Sequence, residues 1–286
     1  VLELFILPSL LGLGLAMDFL SSDTEEDEEP PVETVLGDDV ADFIGSDAKD
    51  HVEANLLDNL LIGGAGKDLL GGLDGADTLF GDDGDDRLFG GNDDDLALGG
   101  AGNDRIFLGD GDDTTVLDGD AGSDAGDDWI RGGAGADTIV DSLGVNNIFG
   151  DIGHDEISTL DAETDGSTPD SIHGGYGNDT LIGDDGDILT GGFGDDSFVV
   201  AAASDQPGAP VVLTDFDLRE DMLSVVFVDE VPEDTTLRLT FDAETDLIRA
   251  YAGEIEVATL SGLTASDIPF ITTFVTTLPE LMAETA

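Results

Sequence analysis

GGAGKDLLG, GLDGADTLF, GDDGDDRLF, GGNDDDLAL, GGAGNDRIF and LGDGDDTTV follow one another from Gly63 to Val116, a nine-residue unit repeated without slippage. The rest of the chain flanks this array. Each unit reads G-G-x-G-x-D-x-U-x, where U is a large apolar residue: turn-forming positions 1 to 6, then a three-residue strand. Glycine at positions 1, 2 and 4 permits positive φ and lets carbonyl groups converge. The x-U-x strand sends its middle side chain to one face and its neighbours to the other. The chain therefore folds back every unit, and two units complete one turn of a flattened coil.

Units eighteen residues apart then stack on the same side, with their Gly-Asp turns facing each other as half-sites of carbonyl and carboxylate oxygen. Oxygen cages of this kind suit calcium. The carboxylate ligand sits at position 6, which reads Asp50, Asn59, Asp68, Asp77, Asp86, Asp95, Asp104 and Asp113. Position 8 reads Val52, Leu61, Leu70, Leu79, Leu88, Ala97, Ile106 and Thr115, the expected core. A second block, Ser123 to Ser158, resumes in phase with Asp128, Asp137, Asn146 and Asp155. A third, Gly174 to Val199, carries Asp179, Asp187 and Asp196, its middle unit one residue short. The whole comes to about fifteen units, some degenerate. The accompanying turn glycines of the candidate sites are Gly66, Gly75, Gly84, Gly102, Gly111, Gly135 and Gly177.

Composition agrees with this reading. The chain has 286 residues, 67 acidic against 8 basic, and a formal net charge of -59. Phosphate would be repelled, so nucleic acid is excluded as a partner, and multivalent cations are the natural ones. A hydrophobic content of 40% with strict periodicity argues against an acidic disordered tail over most of the length. Without cysteine there are neither disulfides nor thiolate sites, so bound ions must hold a glycine-rich, self-repelling coil together.

Taken in order, Val1 to Leu20 is apolar but interrupted by Glu3 and Asp18, short for a membrane span and without the basic region and cleavage site of a secretory signal. It is an anchor or atypical signal, an apolar cap, or an interfacial helix, and it is where any membrane contact is expected. Residues 21–44 form an acidic, Pro-containing linker and lead-in, residues 45–200 the coil, and residues 201–286 a C-terminal domain. Leu117 to Gly122 and Thr159 to His173 break the period and are expected as surface loops. The second holds Asp161, Glu163, Asp165 and Gly166, which match the first half of an EF-hand loop, but Ile172 stands where its twelfth-position glutamate belongs. Past Ala201, strands are expected at Val211–Leu213, Leu223–Val228, Leu237–Phe241, Leu247–Tyr251 and Ile255–Leu260. They form a small antiparallel β unit that caps the open end.

The nonapeptides resemble those of hemolysin-type calcium-binding (RTX) proteins. VVLTDFDLREDMLSV, with Asp215, Phe216 and Asp221, and AGEIEVATLSGLTASDI are similar to segments that follow such arrays. The acidic linker behind a short apolar leader is similar to RTX proteins of marine alphaproteobacteria. The resemblance implies an all-β fold, a parallel β-roll (RTX solenoid) with a small C-terminal antiparallel β unit, and several Ca2+ ions in the turns. It also implies type I export through a C-terminal signal and an extracellular or cell-surface life. Asp93 at position 4, Leu108 at position 1, and the unit DSLGVNNIF depart from the pattern, and sites with Asn59 or Asn146 lose a carboxylate.

No HExxH and no G-x-S-x-G occurs, and His51, His154 and His173 lie apart, so no enzyme is expected. A calcium-binding module with structural or adhesive use is the leading reading. The alternative is a module that holds acidic polysaccharide through calcium bridges beside a separate enzyme. Two finer expectations follow from the coil. Position 9 forms an outward apolar stripe, with Ile62, Phe80, Leu98 and Val116 on one sheet and Phe89, Phe107, Val140 and Phe149 elsewhere. Asp86 serves the turns on both sides, whereas Asn146 has no partner in phase beyond it.

Overall fold

One apolar side chain per unit, always at the same phase, can be buried only if the chain winds so that these side chains meet. In the computed structural model they do. The structure describes residues 33–37, 41–117, 126–160, 169–203, 208–227, 237–268 and 273–277. The strands enter two sheets alternately, one of 13 and one of 11 strands. Next-but-one strands pair in parallel: Leu61 lies beside Leu79 and Leu79 beside Ala97 in the 11-stranded sheet, Leu70 beside Leu88 and Leu88 beside Ile106 in the other. The position 8 residues form two facing columns of one core. Leu61, Leu79, Ala97, Thr115, Ile139, Ile157 and Leu181 face Leu70, Leu88, Ile106, Ile130, Ile148, Ile172 and Leu189, all at 0% exposure. Full burial of each leucine or isoleucine is worth about 1.5–3 kcal/mol.

The strands are longer than the three residues expected. Leu60–Ala65, Thr78–Asp83 and Arg87–Asn92 have 6 residues each, because positions 1 to 3 of the following unit stay in the ladder. Gly64 pairs with Asp82 and Ala65 with Asp83. Non-glycine residues accept positive φ at position 2, Leu73 at 83°, Asp82 at 70° and Asp151 at 74°, and at position 4, Asp93 at 77°.

Both interruptions are absorbed between coils. Ile106 pairs with Ile130 and Thr115 with Ile139, so the inner columns continue across the first one, of which 118–125 lie outside the described residues. The second is shorter than expected. Ile148 pairs with Ile172, and the strand Ser171–Tyr176 belongs to the coil, so Asp170 to His173 form a regular repeat half rather than a loop. The missing leading glycines hid it, although D-x-U-x is intact as Asp170-Ser171-Ile172-His173. Asp161, Glu163, Asp165 and Gly166 lie outside the described residues, and Ile172 at the end of that EF-hand-like stretch is a core residue.

Nor does the parallel coil stop at residue 200. Val212 pairs with Ile188, Leu223 with Phe198, and Val275 with Val225, all in parallel. The inward alternation of Val211, Leu213, Leu223, Val225 and Phe227 continues the core after the glycines cease. Among the described residues antiparallel pairing is confined to Leu237–Asp242, Leu247–Ala252 and Ile255–Leu260, a meander that joins the 13-stranded sheet in parallel where Thr259 meets Val212. The described residues belong to one compact unit. Among the described residues no helix is long and apolar enough to cross a membrane. Val1–Leu20 and Ser21–Pro31 lie outside them.

Candidate metal centre

Position 6 builds two continuous ladders, one along each turn edge. The first runs through Asp50, Asp68, Asp86, Asp104, Asp128, Asn146, Asp170 and Asp187. The backbone N–H of each rung donates to the side-chain Oδ1 of the next, at 2.6 to 2.9 Å. The second runs through Asn59, Asp77, Asp95, Asp113, Asp137, Asp155, Asp179, Asp196 and Asp221, at 2.7 to 3.0 Å. Asp86 serves the turns on both sides, accepting from Asp68 and donating to Asp104. Asn146 does the same, accepting from Asp128 and donating to Asp170 at 2.6 Å, so the expected gap beyond it does not exist.

The glycines make this possible. A Cβ on Gly72 would stand 2.2 Å from Asp77 Oδ2, and one on Gly81 would stand 2.5 Å from Asp86 Oδ2. At position 4 the backbone of one turn presses on the next: a Cβ on Gly84 would lie 1.4 Å from the Gly66 carbonyl oxygen. The same holds for Gly102 over Gly84, Gly135 over Gly111, and Gly177 over Gly153. Gly75 is pressed in the same way against Leu57, the position 4 residue of a degenerate unit. Rows of carbonyl oxygen therefore run beside the carboxylates.

The second oxygens decide what the ladders can hold. The Oδ2 atoms of Asp68, Asp77, Asp86, Asp95, Asp113, Asp137, Asp155 and Asp179 are buried without a hydrogen-bond partner. These residues are at most 3% exposed. Burial pushes Asp77, Asp86, Asp113, Asp155, Asp179, Asp196 and Asp221 up to about 6, and Asp95 and Asp137 to about 7. The donated backbone N–H works against the shift. Asp68 is raised for the same first reason. Such oxygens require either a proton or a cation. Among the described residues no three acidic or imidazole side chains converge on one point, so a cation here must draw on the carbonyl rows as well. Hard, oxygen-seeking calcium fits that donor set.

Other rungs are satisfied by the protein itself. Asp50 Oδ2 accepts from Ser46 N at 2.8 Å, Asp187 Oδ2 from Asp184 N and Thr159 Oγ1 at 2.9 Å each, and Asp221 Oδ2 from Asp217 N at 2.6 Å. Asn59 Nδ2 donates to Ala41 O at 2.9 Å and Asn146 Nδ2 to Leu143 O at 3.2 Å. No such donor reaches the Oδ2 atoms of Asp68, Asp77, Asp86, Asp95, Asp113, Asp137, Asp155 and Asp179. Sequence reading missed two rungs. Asp170 was hidden in the presumed loop, while Asp221 had been singled out by resemblance but given no place in the repeat.

The position 9 stripe divides in two. Ile62, Phe80 and Leu98 are adjacent in the 11-stranded sheet, and Val140 joins them through Val116 rather than lying elsewhere. Phe89, Phe107 and Phe149 lie on the 13-stranded sheet. The histidines do not meet: His154 Nδ1 accepts from Asn178 N at 2.8 Å, His173 stacks on Phe149 at 4.9 Å, and His51 pairs in register with Leu69.

A protein-family profile described as "RTX calcium-binding nonapeptide repeat (4 copies)" matches residues 44–79, 80–115, 89–125, 123–157, 164–198 and 174–206. No curated protein matches the chain. Among solved structures it is similar to the extracellular lipase LipA from Serratia marcescens, at 16% identity and a TM-score of 0.23. That likeness covers 86% of this chain and 40% of the lipase, and at so low a score it carries no argument.

Proposed function

The chain belongs to the family of RTX calcium-binding nonapeptide repeat proteins, and on that premise we propose that it is a secreted or surface-held scaffold, structural or adhesive and without catalysis, that folds as calcium fills its turn ladders. The observation that carries this reading is the row of buried, partnerless Oδ2 atoms beside rows of carbonyl oxygen. Bound calcium supplies the positive charge that these oxygens lack. Asp68, Asp77, Asp86, Asp95, Asp113, Asp137, Asp155 and Asp179 would hold it, and each also ties its turn to the preceding coil through Oδ1.

With a weak, extracellular-type dissociation constant of ~0.1 mM, ~1 mM calcium stabilises each independent site by roughly 1.4 kcal/mol. Eight rungs then contribute on the order of 10 kcal/mol, a domain's whole stability. At micromolar calcium that contribution vanishes and self-repulsion remains. The chain is therefore unfolded where calcium is scarce, as threading through an exporter requires, and folded outside. The alternative, polysaccharide held through calcium bridges, has less support, because an ion enclosed among buried carboxylates has no open face for a second ligand.

Circular dichroism of the full chain in EGTA and in millimolar calcium tests the switch. Disordered spectra in EGTA and β spectra in calcium are expected, and full β content in EGTA would overturn it. Fractionation of the producing culture tests the location, with the chain expected in medium or on the cell surface.

A further inference from the structure

Position 3 of each unit stands at the edge of the coil, where on the side of the second ladder the strands of the 13-stranded sheet run into their turns. Along that edge it reads Asp74, Asn92, Asp110, Ala134, Ile152, Tyr176 and Phe193, each beside the next in register. The first three are polar, and Asn92 Nδ2 donates to Asp74 Oδ1 at 2.6 Å. The last three are large, apolar and open to solvent: Ile152 is 59%, Tyr176 60% and Phe193 68% exposed. On the edge of the first ladder the same position holds Ala65, Asp83 and Ala101 in succession, so the repeat does not demand an apolar side chain there. Contiguous exposed apolar side chains mark a contact surface.

Tyr176 and Phe193 stack at 5.0 Å with their planes 14° apart. The pair is therefore ordered before any partner arrives, which lowers the entropic cost of association. Position 5 of the same turns runs beside the row and carries His154, Asn178 and Asp195, all exposed. His154 Nδ1 accepts from Asn178 N at 2.8 Å, so the neutral ring carries its proton on Nε2. Asn178 Oδ1 accepts from Asp195 N at 3.1 Å. One end of this column thus offers an N–H donor and the other end a carboxylate. On the opposite flank of the row Asp151 is paired with Arg131.

We propose that this row joins two copies of the chain, laid edge to edge with their coils antiparallel about a two-fold axis at Tyr176. Ile152 then meets Phe193 of the second copy, Tyr176 meets Tyr176, and each end of the row is used twice, as an isologous contact requires. Because the axis runs perpendicular to the coils and across the edge, the two position 5 columns lie on one side. His154 Nε2–H therefore faces the Asp195 carboxylate of the second copy, a charge-assisted hydrogen bond made twice. Parallel coils would put the columns on opposite sides and leave both groups unmatched. This match of donor to carboxylate selects a second copy as the occupant. Three apolar side chains are far fewer than a standard interface holds, so the dimer is weak, with a dissociation constant of ~10–100 μM. It depends on the folded coil, which alone brings Ile152, Tyr176 and Phe193 into one row.

Sedimentation velocity on the full chain in millimolar calcium, from about 1 to 200 μM, tests this, with the folded state checked by circular dichroism. A monomer–dimer equilibrium is expected. Tyr176→Asn/Phe193→Asn should weaken it roughly ten-fold or more and keep the wild-type calcium midpoint for folding, since Asn92 occupies the equivalent position. His154→Asp sets carboxylate against carboxylate and should weaken it several-fold, and His154→Asp/Asp195→His should restore it. Aspartate keeps the backbone tie at position 5, where Asp112 accepts from Ala136 N at 2.8 Å. A folded chain that stays monomeric throughout would overturn the proposal, and adsorption of that monomer to phosphatidylcholine vesicles through the same rings would assign the row to a lipid surface. A dimer indifferent to the ring variant, or to His154→Asp, would overturn it as well. A chain already folded in EGTA would overturn the calcium switch alone, and the same variants would then decide the dimer in EGTA.

Discussion

Replacing Asp86 by Asn separates the two roles of a ladder rung. The amide oxygen can still accept the Asp68 N–H, now made at 2.6 Å, so the coil keeps its backbone tie. The buried, partnerless Oδ2 becomes an NH2 group, as at Asn146, which donates to Leu143 O. Without calcium this relieves the burial that pushes the Asp86 carboxyl to about 6, worth at most about 3 kcal/mol above pH 6. With calcium the same change removes charge from one or two sites, each worth roughly 1.4 kcal/mol at ~1 mM calcium. The quantity to measure is the calcium increment, the urea-unfolding free energy in 1 mM calcium minus that in chelator. Both arms contain sucrose, which favours marginal folds. The increment should shrink by roughly 1.4 to 2.8 kcal/mol while stability in chelator rises. Calorimetric stoichiometry should fall by one to two. An unchanged increment, with stability in chelator lowered, would show that Oδ2 does not face a cation and that the ladder is a hydrogen-bond device only.

Asn146→Ala removes the acceptor of Asp128 N and the donor to Leu143 O, and should cost about 1–3 kcal/mol in calcium and in chelator alike, leaving the increment unchanged. Acid should partly fold the calcium-free chain. Burial pushes the folded Asp86 carboxyl up to about 6 and those of Asp95 and Asp137 to about 7, against an ordinary 3.8, so the native state holds more protons between those values and its stability falls as pH rises through them. Circular dichroism in EGTA should therefore show more β structure at pH 5 than at pH 8, and calcium added near pH 6 should release protons. Leu73→Gly should stabilise by about 1 kcal/mol, read as a higher urea midpoint, because Leu73 holds a φ of 83° that glycine adopts freely. Gly84→Ala should abolish calcium-induced folding, since its Cβ would lie 1.4 Å from Gly66 O. Gly71→Ala, whose Cβ would meet Val52 O at 3.8 Å, should fold.

The nonapeptide decided the main architecture by itself. One inward residue per nine, with obligate turns between, admits a coil of two units per turn, and the register of Leu61, Leu79 and Ala97 is that coil. The phase of position 6 likewise places Asp68 to Asp196 on two edges. Other features depended on contacts distant in sequence. Asp170 and Ile172 are a rung and a core residue although their unit lacks its glycines, because the coils on either side hold the strand in register. Asp221 ends a ladder because Leu223 continues an apolar column. Arg87, Arg105 and Arg131 lie many residues apart, and only stacking of the coils brings their strands side by side. Above all, the aspartates at position 6 look alike in one dimension. Whether the second oxygen of each meets a protein donor is decided by the folded turn and its neighbours: Ser46 N of the same turn reaches Asp50, Asp184 N of the same turn and Thr159 Oγ1 of another coil reach Asp187, and no donor reaches Asp86.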